Sequence, residues 1–125
     1  MKKLMVLFFL CIIPFITNAT ISEMSFGKWN IKFDDETKRA EFVKEGVTVL
    51  KDVKIKFKSG DVLLDASSYN SVKIKQEDIV DEVGKARKFT IEYTGSENSD
   101  NPIVYQNFYL YDGQDYFLTD VILQS

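Results

Sequence analysis

From Ser25 onward the chain alternates apolar and polar side chains with a period of two, and this pattern limits its possible folds more than any motif does. Successive side chains of an extended strand point to opposite faces, so a period of two means strands with one buried and one wet face. No window of eleven residues carries a helical period. The first expected strand runs from Phe26 to Phe33, with Trp29, Ile31 and Phe33 on one face and Lys28, Asn30 and Lys32 on the other. A turn at Asp34 to Thr37, a strand over Arg39 to Val43, a turn at Lys44 to Gly46 and a strand from Val47 to Leu50 continue it as a meander. Val53 to Lys58 alternates most strictly, three apolar residues against Lys54, Lys56 and Lys58; lysines on a solvent face keep a strand soluble and discourage edge pairing.

Further strands are expected at Val62 to Asp65, Ser71 to Gln76, Phe89 to Tyr93, Ile103 to Tyr111 and Tyr116 to Leu123, the last two joined by an Asp112-Gly113 turn. Gln76 to Val83 suits a single helical turn or an irregular loop, and the polar, proline-closed stretch Gly95 to Pro102 suits a surface loop. The expected class is all-β: an antiparallel β-sandwich of about eight to nine short strands, with a barrel as the alternative. Phe117 to Leu123 is a strong apolar strand with no covering element after it, which implies a sheet edge that something else covers and an incomplete part of a larger sandwich.

Residues 1–19 do not share this pattern. Lys2 and Lys3 precede an apolar run from Leu4 to Ile16 that ends in Thr17-Asn18-Ala19, the layout of a secretory signal peptide. The run is shorter than the roughly 18 residues a membrane span needs. The expected organisation is a signal peptide over 1–19 and a β-sandwich domain over 20–125, exported to the periplasm or secreted, touching the membrane only through the transient signal. Loss of nineteen of the 125 residues leaves 106 and takes two of sixteen basic residues and no acidic one, so the net charge moves from -3 to -5.

Cys11, the one cysteine, goes with that segment, and the chain has no histidine. The expected domain therefore has neither, which excludes thiol nucleophiles, disulfides, zinc sites of the Cys/His type, Ser-His-Asp triads and haem ligation through these residues. Carboxylates, tyrosine and lysine remain for acid-base work. An acidic chain with dispersed lysines argues against nucleic acid, whose phosphates call for a concentrated basic face. No cofactor is expected.

Three acidic groupings stand out. Asp34 and Asp35 sit in a turn, where Asp caps backbone N–H groups; Asp81 and Glu82 lie in an irregular stretch; Asp112, Asp115 and Asp120 surround the last hairpin. None has the spacing of a calcium loop. Trp29 and the tyrosines are the other resource. Tyr105, Tyr109 and Tyr111 share one face of their strand, against Val104, Gln106, Phe108 and Leu110 on the other, and flat rings on a wet face are a platform for stacking a sugar. The same residues also suit plain packing, with the ring buried and the hydroxyl wet. Trp29, Asp81, Glu82, Tyr105, Tyr109 and Tyr111 are the candidate ligand or interface residues.

Gly27 to Asp34, Asp81 to Ala86, Gln106 to Tyr111 and Tyr116 to Leu118 together resemble, in order, the N-terminal β-sandwich of secreted α-galactosidases, in the glycoside hydrolase clan that includes raffinose synthases. Val83 stands where that pattern has an aromatic residue, and Ala86-Arg87 replaces a small or glycine-rich continuation. The resemblance implies a non-catalytic domain that supports a catalytic (β/α)8 barrel absent from this chain. The catalytic carboxylates of those enzymes lie in the barrel, so no catalytic residue carries over. The partners implied are such a barrel or a carbohydrate, and the alternative is a stand-alone secreted module that binds carbohydrate or protein.

Overall fold

The computed structural model describes residues 20–98 and 100–125; the expected signal segment lies outside them. Ten strands follow in order: β1 (Ile21–Phe26), β2 (Trp29–Asp34), β3 (Arg39–Lys44), β4 (Val47–Val53), β5 (Lys56–Ser59), β6 (Val62–Asp65), β7 (Ser71–Val80), β8 (Lys85–Thr94), β9 (Ile103–Tyr111) and β10 (Phe117–Gln124). All pairings are antiparallel. One sheet has the order β1-β2-β3-β4, a second β10-β9-β8-β7, and β5 and β6 form a separate hairpin. The chain is an all-β sandwich, as the alternation requires.

The core lies between the two four-stranded sheets. Ile31 and Phe33 of β2, Ala40 and Phe42 of β3, Phe89, Ile91 and Tyr93 of β8, and Val104, Phe108 and Leu110 of β9 are buried there, each set spaced by two. Phe117, the first residue of β10, reaches between the layers. Its ring meets Trp29 edge-on at 4.8 Å, stacks on Phe42 at 5.0 Å and approaches Phe108 at 6.2 Å. Two buried hydroxyls are satisfied within the core: Tyr93 donates to Gln106 Oε1 at 2.9 Å and Tyr69 to the Pro102 carbonyl at 2.6 Å.

Three local readings differ from the alternation. Phe26 to Phe33 is not one strand. Phe26 pairs directly with Trp29, so Gly27 and Lys28 form a two-residue turn, and a further strand, β1, precedes it. Gly27 adopts φ +61, and a Cβ there would lie 3.0 Å from the Tyr111 carbonyl oxygen, so the position demands glycine twice over. The signal for β1 is weak because, of Ile21–Phe26, only Met24 is fully buried. Gln76 to Val80 is neither helix nor loop, since β7 continues to Val80 in register with β8; as an edge strand it leaves most side chains wet and so blurs its own period. The lysine stripe is broken at Lys54-Ile55 between β4 and β5. Lys54 turns onto Asp65 at 2.9 Å, while Ile55 stays buried.

Asp65 caps the 3-10 turn Ala66–Ser68 by accepting from the Ser67 N–H at 2.9 Å. Burial opposes its ionisation, but the hydrogen bonds from Ser67 and Lys54 outweigh that and hold its pKa at about 2, against 3.8 for an unperturbed carboxyl. Its folded pKa is depressed, so its stabilising contribution is present above pH ~4 and is lost as pH falls toward about 2. Unfolding by urea from pH 5 to pH 2 will therefore show a shallower acid loss in Asp65→Asn than in the native chain. At neutral pH, Phe42→Ala, which opens a hole beneath Phe117 and Phe108, will lower unfolding free energy by about 3–5 kcal/mol in the same assay.

Candidate functional site

β9 decides where the candidate residues go. Its even-numbered residues Val104 to Leu110 face the core; Tyr105, Tyr109 and Tyr111 share one face, as their spacing predicts, and with Asn107 they point outward from the second sheet. On this outer face the polar groups close on one another. Thr90 on β8 donates to Asn107 Oδ1 at 2.6 Å, and Asn107 Nδ2 donates to Asp120 Oδ1 on β10 at 2.7 Å. Tyr109 donates to the other Asp120 oxygen at 3.0 Å, and the Lys88 ammonium lies 5.7 Å over the Tyr109 ring. Tyr105 donates to Gln124 Oε1 at 2.9 Å.

At the end of β9, Tyr111 donates to Asp81 Oδ2 at 2.6 Å, and Asp81 Oδ1 accepts from the backbone N–H groups of Val83 at 2.9 Å and Gly84 at 3.3 Å. Asp81 thus pins the β7–β8 turn to β9. Tyr111 is buried although it points outward, with the Tyr116 ring 6.2 Å away. The Tyr111 hydrogen bond holds the Asp81 carboxyl below its usual range, and the same bond, with burial, pushes the Tyr111 hydroxyl up to about 12. Burial and then Asp120 raise Tyr109 as well. These groups are moved away from neutrality, the opposite of what general acid-base catalysis requires.

The structure brings Asp81, Tyr109 and Tyr111 together and places Tyr105 at the far end of the same face. Glu82 is exposed in the β7–β8 turn. Trp29 lies on the other side of the second sheet, buried against Phe117, its Nε1 without a hydrogen-bond partner. The acidic group near the last hairpin is dispersed: Asp115 pairs with Lys28 at 2.8 Å and Lys44 at 3.2 Å, Asp120 belongs to the tyrosine face, and Asp112 is exposed. Among the described residues no group of three or more carboxylates, histidines or cysteines is placed to hold a metal ion.

Among the described residues, the feature that does stand open is one side of the sandwich. β10 ends the second sheet and exposes Leu118, Val121, Ile122 and Leu123 by 44–51%. Because Phe117 sits on Phe42 of β3, this strand lies on the side where the first sheet ends in β4, and β4 exposes Val47, Val49 and Leu50 by 48–64%. The sequence marks Phe117 to Leu123 as an uncovered edge but not the β4 residues, since a Val-Thr-Val-Leu run reads as an ordinary half-buried strand. Two other edges are guarded. β7 carries Lys73, Lys75, Glu77 and Asp78, and β4 carries Lys51, an irregular register and Asp52 at φ +55. β10 has no lysine, arginine or proline, and its single charge, Asp120, is bound to its own sheet.

Comparison with known protein families, with characterised proteins and with solved structures finds no match to this chain. The likeness to α-galactosidase sandwiches therefore rests on the sequence motifs alone.

In Asp81→Asn the tyrosine that titrates at about 12 will move down toward the ordinary 10.0, because the charge that holds its proton is gone. Absorbance of tyrosinate during an alkaline titration reads the shift directly.

Proposed function

We propose that this chain is a non-catalytic β-sandwich module that works by docking a protein surface along its β4–β10 side. One observation carries the reading: β10 is an edge strand without lysine, arginine or proline that exposes Leu118, Val121, Ile122 and Leu123. An open edge supplies affinity through backbone hydrogen bonds, and alternate side chains supply fit. The resemblance to α-galactosidase sandwiches adds a catalytic barrel as one kind of surface so docked. The closed hydrogen-bond network of the outer face and the displaced pKa values of Asp81, Tyr109 and Tyr111 support the non-catalytic part.

A neutral peptide of alternating valine and threonine, titrated into the isotopically labelled protein, will shift backbone amide resonances of β10 and its neighbour β9. Shifts confined to another edge, or none at millimolar peptide, would sink the docking reading. The purified protein will not hydrolyse an aryl α-galactoside; turnover that survives further purification would refute the non-catalytic reading.

A second reading, glycan stacking, has the half-exposed rings of Tyr105 and Tyr109 in its favour. Their hydroxyls are already spent on Gln124 and Asp120, so fluorescence titration with a glycan panel will be flat. A saturable change lost in Tyr109→Ala would restore this reading.

A further inference from the structure

We propose that the Asp112-Gly113 step between β9 and β10 is a site of spontaneous backbone modification, where the aspartate closes on the following peptide nitrogen as a succinimide and reopens as isoaspartate. The proposal stands on the turn itself and is independent of the docking reading.

The chemistry needs a carboxyl group that nothing holds, a peptide nitrogen that nothing holds, and room for the two to meet. Asp112 and Gly113 are both exposed. Among the described residues the Asp112 carboxylate meets no donor, whereas those of Asp34, Asp65, Asp78, Asp81, Asp115 and Asp120 are each held by a backbone N–H or a side chain. The Gly113 N–H likewise has no acceptor among them. The hydrogen bonds of the turn run from the Asp112 N–H to the Lys85 carbonyl at 3.1 Å and from the Gln114 N–H to the Tyr111 carbonyl at 3.4 Å. The second exceeds the roughly 2.7–3.2 Å of an ordinary N–H···O bond, so the turn is held loosely where it must flex.

Glycine supplies the room. A Cβ on the residue after an aspartate shields the nitrogen between them, and Asp112 is the one aspartate in the sequence that glycine follows. Apart from its chain neighbours, no atom lies within 4 Å of the place a Gly113 Cβ would take. The glycine is also hard to replace, because φ +74 is a left-handed conformation that other residues adopt at a cost. The tight connection that the hairpin requires therefore carries its own reactive pair.

Water is the only co-reactant. The Gly113 nitrogen bonds to the Asp112 side-chain carbonyl carbon, the N–H proton and the carboxyl OH leave as water, and a five-membered imide remains. Water then opens the ring at either carbonyl: one opening restores aspartate, the other routes the main chain through the side-chain carbon with no net change in mass. The isoaspartate backbone is one carbon longer. It cannot extend inward, since the Tyr111 carbonyl oxygen and Asp112 Cα lie 3.0 and 3.5 Å from where a Gly27 Cβ would stand. The turn is pushed outward instead, and the start of β10 at Phe117 is loosened.

The purified protein will be held in neutral buffer at physiological temperature for several weeks, then denatured and digested with an endoproteinase that cuts before aspartate. Cleavage before residue 112 will fall progressively while the mass of the spanning peptide stays that of the unmodified sequence. Isoaspartate counted by enzymatic methylation will rise in the native chain and stay at its starting level in Asp112→Glu, whose ring would need six members. Asp112→Asn will accumulate it faster by an order of magnitude, because an amide loses ammonia more readily than a carboxylate loses water. Undiminished cleavage before residue 112 in the aged native chain, or equal isoaspartate in Asp112→Glu, would overturn the proposal. In the modified fraction, amide hydrogen exchange at Phe117 will be faster than in the native chain. Unchanged exchange there would overturn the loosening of β10 and leave the modification standing.

Discussion

Phe117 is the contact on which the arrangement depends. One ring, contributed by the first residue of an edge strand, touches Trp29, Phe42 and Phe108, and so joins β2 and β3 of one layer to β9 and β10 of the other. Beyond it the core side of β10 carries Thr119, Val121 and Leu123, none of which is buried. β10 is thus anchored at one end by packing and along its length by pairing with β9, while its other edge and most of its core side stay open. The Lys28 and Lys44 ion pairs with Asp115 lie just before this anchor and tie the approach to β10 onto the first sheet. Such exposed pairs contribute little energy but fix where the strand begins.

The polar half of the molecule is built differently. On the outer face of the second sheet nearly every candidate donor meets an acceptor on the neighbouring strand, from Thr90 through Asn107 and Asp120 to Tyr109, and from Tyr111 to Asp81. A ligand arriving there would have to break bonds that the protein already makes, and a buried group left without its partner costs about 1–3 kcal/mol. The apolar side has no such opposition. Among the described residues this side leaves backbone edge and hydrocarbon open, while the buried side-chain atoms without a partner are Trp29 Nε1 and Asn30 Oδ1.

How much of this was legible in the sequence follows from the same division. Burial on one face writes a period of two into β2, β3, β8 and β9, so the all-β class and the shared face of Tyr105, Tyr109 and Tyr111 could be read directly, but not which face of β9 is the core. β1 and the second half of β7 were missed because edge strands bury few residues and leave the period faint. Trp29 stands among the ligand candidates on its residue type, although its spacing sets it on the apolar face with Ile31 and Phe33; the structure buries it there against Phe117, 88 positions away. The partnership of Asp81 with Tyr111 was likewise invisible, since thirty residues separate them and only the β8–β9 register brings them together. The uncovered strand at Phe117 to Leu123 was legible for the opposite reason: an apolar strand without lysine or proline is conspicuous by what it lacks.

The two strands on the open side are not equivalent, and the difference explains how one edge can be offered without the whole side becoming adhesive. β4 shifts register against β3 between Ala40 and Val43, and Asp52 takes a left-handed conformation, so its backbone does not present a regular ladder. It contributes Val47, Val49 and Leu50 as side chains only. β10 pairs with β9 without interruption from Phe117 to Gln124 and so keeps a straight ladder on its free edge. A partner finds one set of backbone groups to pair with and an apolar flank beside it. The irregular register of β4 and the charges of β7 discourage further pairing at those two edges.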